Sequence, residues 1–179
     1  WEKAQEHEKG ATQKIYRGSM HTRNANEIKG LELAGEIPQA AYTYSYLNTA
    51  YPCLNEKQLA IGETTFSGPD TLVNPEGLFM IEDLERIALQ RCDNARDAIR
   101  LIAELIKEYG YGDGGECITI ADPNEVWCME IMGEGKKKIG GIWAAQRVPD
   151  GEVSVSANIP RIKYINRNDP DNFMCSDNI

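Results

Sequence analysis

The amino-acid sequence predicts an α+β fold in which helices cover one face of an antiparallel sheet. Three observations support this: β-type segments come first, two amphipathic helical segments follow, and short β-type segments separated by turn residues come last. Short strands joined by turns pair antiparallel, so helices on one face of the sheet are the consistent layered arrangement.

The N-terminal third predicts two strands after an irregular start. Residues 1–35 are polar and interrupted by glycines, and they predict irregular structure. Tyrosine then occupies alternate positions in Tyr42–Tyr46, which is the pattern of a half-buried strand. A second strand is predicted over Leu59–Phe66, where Gly62 indicates a bulge or a close approach by another group.

The segment from Leu78 to Tyr109 predicts two consecutive helices. Apolar residues recur at three- and four-residue intervals in both halves, and the pattern breaks near Cys92–Asn94. Asp93 or Asn94 can cap the start of the second helix, and Gly110 can end it in a left-handed conformation. We expect these apolar stripes to form core contacts, with no cofactor site.

The remainder of the chain predicts a meander of three or four strands. They are Cys117–Ala121, Val126–Ile131, Gly141–Val148 and Val153–Ala157. Turns are predicted at Asp122–Glu125 and Pro149–Gly151, each of which contains a proline. The glycine-rich loop at 110–115 leads from a helix into a strand, so it is interpreted as a connection and not as a phosphate-binding loop.

Composition and charge limit the classes of partner. The 179 residues are 41% hydrophobic and 26% charged, which suits a single folded domain over residues 1–179 or a part of one. The formal net charge of −9 repels phosphate backbones and anionic lipids, so neither nucleic acid nor a membrane is expected as a partner. No apolar run is long enough to span a bilayer.

The two ends of the sequence predict a processed or truncated product. The chain starts at Trp1 instead of Met, and it ends at Ile179 without a closing glycine or proline. We therefore expect part of the function to lie in residues beyond these ends. The cellular compartment stays open, because an export signal would precede Trp1.

The cysteines and histidines do not predict a metal cage. The closest two of the five cysteines, Cys117 and Cys128, are eleven positions apart, so no C-x-x-C pair exists. The only histidines are His7 and His21, which gives a Cys–His dyad little support. We interpret Cys117 and Cys128 as small buried core residues, and no metal or cofactor is expected.

Three polar groups are candidates for chemistry. Glu63–Thr65 places a carboxylate and two hydroxyls in an apolar strand, and Ser154–Asn158 leads a strand towards a proline. Arg147 and Arg161 are candidate clamps for a substrate carboxylate, which a guanidinium binds through two hydrogen bonds. The structural alternatives are cross-strand hydrogen bonds for the threonines, a turn for Asn158 and solvated strand ends for the arginines.

Six segments carry a resemblance to a known family. They are Asn55–Phe66, Glu108–Glu116, Ala121–Glu125, Trp143–Gly151, Val153–Ile159 and Asp169–Met174. In this order, over residues 36–179, they resemble the dipeptidase A-type cysteine peptidases of the N-terminal nucleophile (Ntn) hydrolase superfamily. Each segment alone is a weak signal, and the ordered set is specific.

The resemblance implies a fold and a mechanism. The fold is a four-layer αββα sandwich of two antiparallel sheets between helices, incomplete in this chain. Such enzymes cleave an amide with a cysteine that is residue one of the mature chain: the thiol attacks the carbonyl, and the α-amine of the same residue accepts and returns the proton. The implied substrates are dipeptides or short peptides, and relatives commonly form homo-oligomers.

The resemblance also assigns candidate site residues. Asn158 matches an active-site asparagine that holds the nucleophile or the tetrahedral intermediate. Thr65 matches a strand position that contributes to the oxyanion hole, with its hydroxyl or a local backbone N–H as the donor. Glu63 is a candidate for binding the free α-amine of the substrate, and Arg147, inside a matching segment, is a candidate for binding substrate.

The nucleophile is the point at which the chain departs from the pattern. Trp1 has no thiol, and Cys53 is internal and has no free amine. The resemblance places the nucleophilic cysteine some tens of residues before Trp1, so we expect this chain alone to be inactive. The alternative functions are a non-catalytic Ntn-like binding or assembly module, and an α+β domain that matches the motifs by chance.

Overall fold

The computed structural model describes residues 1–18 and 28–179, and His21 therefore lies outside the described residues. The helices are α1 (Ile81–Arg91) and α2 (Ala95–Tyr109). The strands are β1 (Gln5–Glu6), β2 (Thr12–Tyr16), β3 (Leu33–Pro38), β4 (Tyr42–Thr43), β5 (Tyr46–Leu47), β6 (Leu54–Asn55), β7 (Ala60–Ser67), β8 (Gly115–Ala121), β9 (Val126–Met132), β10 (Ile142–Arg147) and β11 (Phe173–Cys175).

A seven-stranded antiparallel sheet in the order β11-β10-β9-β8-β7-β6-β5 forms the centre of the described structure. Two small sheets pair β1 with β4 and β2 with β3. The α+β class is confirmed. The described residues supply one helical layer and one large sheet, so the four-layer arrangement stays an expectation.

Both helices pack on one face of the large sheet. Alternate residues of β8 and β9, including Ile118, Ile120 and Met129, belong to the same buried cluster as the apolar stripes of α1 and α2. Cys117 and Cys128 point to the opposite face because side chains alternate along a strand. Within residues 1–18 and 28–179, no helix is long and apolar enough to cross a membrane.

The predicted caps of α2 are confirmed. The Asn94 side chain accepts a hydrogen bond from the Asp97 backbone N–H at 2.9 Å, which satisfies one free donor of the first turn. Gly110 ends the helix with a φ of 83°, a conformation that favours glycine. The boundary between α1 and α2 falls at residues 92–94, as predicted.

The prediction of one strand over Tyr42–Tyr46 was wrong. The segment forms β4 and β5, which belong to different sheets. The physical reason lies at Tyr44, whose backbone N–H donates to the carbonyl of Gln90 at the end of α1, at 2.8 Å, and not to a neighbouring strand. Alternating tyrosines therefore mark a segment that crosses between two sheets.

The prediction of irregular structure over residues 1–35 was wrong for three parts of that range, and residues 19–27 lie outside the described residues. This range contains β1, β2 and the start of β3, and β2 pairs with β3 in an antiparallel hairpin. Ile15 on β2 and Ile37 on β3 are each only 1% exposed. A strand with a single buried apolar residue has too little alternation to be recognised from sequence.

The strand predicted over Val153–Ala157 is absent, and these residues lie in the long connection between β10 and β11. Val153 and Val155 are 89% and 65% exposed. The alternating pattern lacks a partner here because β11 occupies the outer edge of β10. The tendency of a sequence to form a strand depends on its structural surroundings more than the tendency to form a helix does.

Candidate active site

Asn158 and Thr65 lie together, although 93 positions separate them in sequence. Thr65 is half-buried on β7, opposite Glu116 of β8. Asn158 is an exposed residue of the β10–β11 connection, and its Nδ2 donates to the backbone carbonyl of Thr65 at 2.7 Å. The contact fixes the carboxamide of Asn158 against β7.

Glu63 joins the same group. It lies two residues before Thr65 and so faces the same side of β7. The Thr65 Oγ1 donates to the Glu63 Oε1 at 3.0 Å. Three of the four site residues assigned with the family resemblance thus form one hydrogen-bonded group: Glu63, Thr65 and Asn158.

This part of β7 has an open edge. Strand β6 pairs with β7 only where Leu54 faces Ala60, and the next ladder contact is the Ile61 N–H to the Cys53 carbonyl at 3.0 Å. In the described ranges, Glu63–Ser67 therefore pairs with β8 alone. An unpaired edge is a template for a further strand.

Three buried carboxyl groups lie beside this group. Glu82 and Glu85 on α1 are 2% and 0% exposed, and Glu116 on β8 is 3% exposed. Both carboxyl oxygens of Glu82 and Glu85, and the Oε2 of Glu116, have no hydrogen-bond partner among the described residues. The hydroxyl of the fully buried Tyr111 also lacks one within that part of the chain.

Burial changes the protonation of these acids. Desolvation, together with the nearby charges of Glu63 and Glu82, raises the pKa of Glu85 to about 9. Desolvation raises the pKa of Glu82 to about 7. For Glu116, desolvation followed by the hydrogen bond with Glu63 raises the pKa to about 9. At neutral pH, Glu85 and Glu116 are therefore held as neutral carboxylic acids.

Such shifted pKa values are typical of functional sites, because catalysis and ligand binding require groups tuned away from their usual range. The neutral acids can donate hydrogen bonds, and Glu63 supplies an acceptor beside Thr65. The arrangement therefore combines a carboxamide donor, a hydroxyl and several carboxyl groups at one end of β7 and β8. This set suits the binding of a polar, cationic ligand.

Comparison with known proteins identifies the family. The sequence profile of peptidase family C69 matches residues 19–179. The chain belongs to peptidase family C69. The match begins at residue 19, earlier than the start near residue 36 expected from the motifs. In this C69 member the whole of β3 therefore falls inside the family region, whereas β1 and β2 precede it.

Curated relatives of this C69 chain carry dipeptidase names. It is 36% identical over 93 residues to a probable dipeptidase of Latilactobacillus sakei, covering 52% of this chain and 18% of the relative. It is 35% identical over 102 residues to a probable dipeptidase B of Lactococcus lactis subsp. lactis, covering 55% and 19%. It is 31% identical over 120 residues to a probable dipeptidase of Salmonella dublin, covering 64% of this chain and 26% of the relative. The matched region thus spans about a fifth to a quarter of these relatives.

Arg147 of the C69 chain is not brought to the other three residues. Its Nε pairs with Glu125 at 3.2 Å and its Nη2 with Asp150 at 2.7 Å. Across the sheet, Arg147 shares a row with Ile61, whereas Thr65 shares a row with Trp143. Arg147 therefore lies at the opposite end of the strands from Thr65, where it joins β10 to the turns beside it.

The buried acids of the C69 chain were missed from sequence. Glu82 and Glu85 follow the start of α1, where acidic residues are favoured by the helix dipole and usually face solvent. One signal was available: Glu63 and Glu116 lie in two of the family-like segments, Glu63 on a predicted strand and Glu116 directly before the next one. Only the register of β7 on β8 shows that they meet.

Proposed function

We propose that the protein is a dipeptidase that hydrolyses dipeptides or other short peptides with the thiol of an N-terminal cysteine. Membership of family C69 and the dipeptidase names of the relatives support the substrate class. The observation that carries the proposal for this chain is the hydrogen bond from Asn158 to the Thr65 carbonyl. It holds a carboxamide at the open edge of β7.

The nucleophile comes from residues outside these 179. The mechanism needs a cysteine with a free α-amine, and each of the five cysteines here follows another residue. A strand that carries such a cysteine can pair with the unpaired edge of Glu63–Ser67, because backbone groups on that side of β7 have no strand partner among the described residues. This pairing brings the thiol to Thr65 and Asn158.

Asn158 is proposed as a donor to the reacting carbonyl. Its Nδ2 carries two protons, and the bond to Thr65 uses one of them. The second proton is available to the oxyanion that forms when the thiol attacks. The Thr65 hydroxyl donates to Glu63, so we assign the hydroxyl to positioning Glu63 and the oxyanion role to Asn158.

The proposed reaction has two steps. The thiol attacks the peptide carbonyl while its own α-amine accepts the thiol proton, and that proton passes to the leaving amine as the C–N bond breaks. Water then attacks the thioester, the amine takes a proton from water and returns it to the sulfur, and the acid is released. Cysteine and amine end the cycle unchanged.

Glu63 is proposed to bind the free α-ammonium group of the substrate. It is half-buried beside Thr65, and the neighbouring Glu85 and Glu116 are neutral at pH 7 for the reason given above. A carboxylate at Glu63 can attract a cation without strong repulsion from the two neighbouring carboxyl groups, because those groups are uncharged. The enzyme should therefore prefer peptides with an unblocked N-terminus.

The test compares the complete gene product with the 179-residue chain on a panel of dipeptides, each with a free or an acetylated N-terminus. We expect the gene product to cleave the unblocked dipeptides and to lose activity after iodoacetamide treatment, and the 179-residue chain to cleave none. Cys53→Ser is the matched control and should keep both the activity and its sensitivity to alkylation.

Two results would contradict the proposal. One is hydrolysis by the 179-residue chain alone at a rate that iodoacetamide does not change. The other is a gene product that binds dipeptides without cleaving them, which would support a non-catalytic binding module in place of the enzyme.

A further inference from the structure

Two buried thiols and a carboxylate meet on the sheet face opposite the helices. Cys117 on β8 and Cys128 on β9 have their Sγ atoms 3.2 Å apart. Cys117 faces Glu130 across the ladder, so these three residues occupy one face of two neighbouring strands. One ligand atom from each residue lies within 4.8 Å of the other two. We call Cys117, Cys128 and Glu130 the thiol cluster.

We propose that the thiol cluster binds a single zinc-type divalent ion, with the hydroxyl of Ser156 or a water molecule as the fourth ligand. Two thiolates and one carboxylate are a ligand set that zinc accepts, since thiolates select soft or borderline ions over magnesium and calcium. The proposal concerns this chain's own residues and does not depend on the proposed peptidase activity.

The distances fit a tetrahedral site after a small adjustment. Two sulfurs bound to one zinc at about 2.3 Å each are about 3.8 Å apart at the tetrahedral angle. The present Sγ–Sγ separation of 3.2 Å is shorter, so the two sulfurs must move apart by about 0.6 Å to admit the ion. The Ser156 Oγ lies 3.3 Å from the Cys117 Sγ, on the side of the cluster that faces the β10–β11 connection.

The carboxylate is already oriented. The backbone N–H groups of Arg161 and Ile162 both donate to the Glu130 Oε1, the latter at 3.0 Å. The Oε2 accepts no hydrogen bond from the residues that the structure describes, so it is left for a ligand. Among the residues that the structure describes, no cationic side chain forms an ion pair with Glu130. Hydrogen bonds of this kind fix a ligating carboxylate in many metal sites.

The two thiols are buried on the sheet face away from the apolar core. Cys117 and Cys128 are 1% and 5% exposed, and they lie outside the apolar cluster formed with the helices. The ion would anchor Ser156, and through it the exposed connection that carries Asn158 two residues later. A metal here would therefore have a structural role: it would fasten an irregular segment to the sheet.

The experiment titrates the reduced, chelator-treated 179-residue chain with Co²⁺, whose thiolate complexes absorb in the near ultraviolet. We expect one ion per chain, a thiolate-to-cobalt band, and displacement of the band by Zn²⁺. Cys117→Ser and Cys128→Ser should abolish the band, and Glu130→Gln should weaken binding by at least about tenfold. Cys53→Ser and Cys175→Ser are the matched controls and should bind as the parent does.

A second measurement needs no variant. Zn²⁺ should protect Cys117 and Cys128 of the parent chain from alkylation, as mapped by peptide mass, and leave Cys53 reactive. The proposal is overturned if the reduced parent shows no thiolate-to-cobalt band, if Zn²⁺ protects neither thiol, or if Cys53→Ser removes the band. A Cys117–Cys128 disulfide that forms in air, with no metal bound after reduction, would assign the cluster to redox chemistry instead.

Discussion

At the residue scale, Asn158 combines an unusual backbone conformation with a side-chain contact to a residue that is distant in sequence. Its backbone has a φ of 57°, a left-handed conformation that asparagine tolerates better than most residues. Its side chain donates to the Thr65 carbonyl at 2.7 Å. The backbone bend at Asn158 thus accompanies a side chain that is held against β7. The role of Asn158 in holding the nucleophile or the tetrahedral intermediate stays a prediction.

The buried acids lead to a prediction at the same scale. Desolvation raises the folded-state pKa of Glu85 to about 9, against roughly 4.3 in the unfolded chain, so folding favours the protonated form. The contribution of the Glu85 carboxyl to the free energy of unfolding is fully present below about pH 4.3 and is lost as the pH rises towards 9. Glu85→Gln should therefore have a larger free energy of unfolding than the parent at alkaline pH. Its advantage over the parent should increase by at least about 1.4 kcal/mol, the equivalent of one pKa unit, when the pH is raised from 5.5 to 8.5.

Urea unfolding of the 179-residue chain at the two pH values measures this difference. Glu104→Gln makes the same change at an exposed position of α2 and should leave the pH dependence of the parent unchanged. A Glu85→Gln variant whose stability follows that of the parent at both pH values would show that the Glu85 carboxyl is not held neutral.

At the element scale, local signals and pairing explain what could be predicted. The bounds of α1 and α2 were predictable because an apolar stripe, Asn94 and Gly110 all act within a few residues. An alternating sequence pattern corresponded to a strand only where a neighbouring strand was available to pair with it. Val153–Ala157 has the pattern of a strand, yet β11 takes the place beside β10 that it would need.

The link between α1 and the β6–β7 turn gives a prediction of its own. The buried Asn55 donates from its Nδ2 to the carbonyls of Leu89 and Cys92 at 2.8 Å each, and its Oδ1 accepts from the backbone N–H of Lys57 and Leu59. Asn55→Ala would leave buried backbone groups unpaired. We expect the free energy of unfolding to fall by at least about 2 kcal/mol.

Urea titration monitored by circular dichroism measures this loss. Asn124→Ala, at an exposed turn residue, is the control and should change stability by less than about 0.5 kcal/mol. An Asn55→Ala variant as stable as the control would contradict the account of how α1 is tied to the β6–β7 turn.

At the scale of the whole molecule, the order of six segments was sufficient to identify the family. It also led to Glu63, Thr65 and Asn158 as candidate site residues, which lie together in the structure. The antiparallel sheet with helices on one face followed from the pattern of elements. The buried acids and the thiol cluster did not, because they depend on the register of β8 against β7 and β9. Contacts of that kind join residues whose spacing in sequence has no periodic signal.

The most direct test of the central claim is the kcat of Asn158→Ala in the complete gene product, measured on an unblocked dipeptide. The account predicts a fall in kcat of about 10²–10³-fold, the cost typical of one oxyanion donor, with a much smaller change in KM. Asn168→Ala, an exposed asparagine of the same connection, should retain the parental kcat. A parental kcat for Asn158→Ala would contradict the claim that this carboxamide serves the reaction.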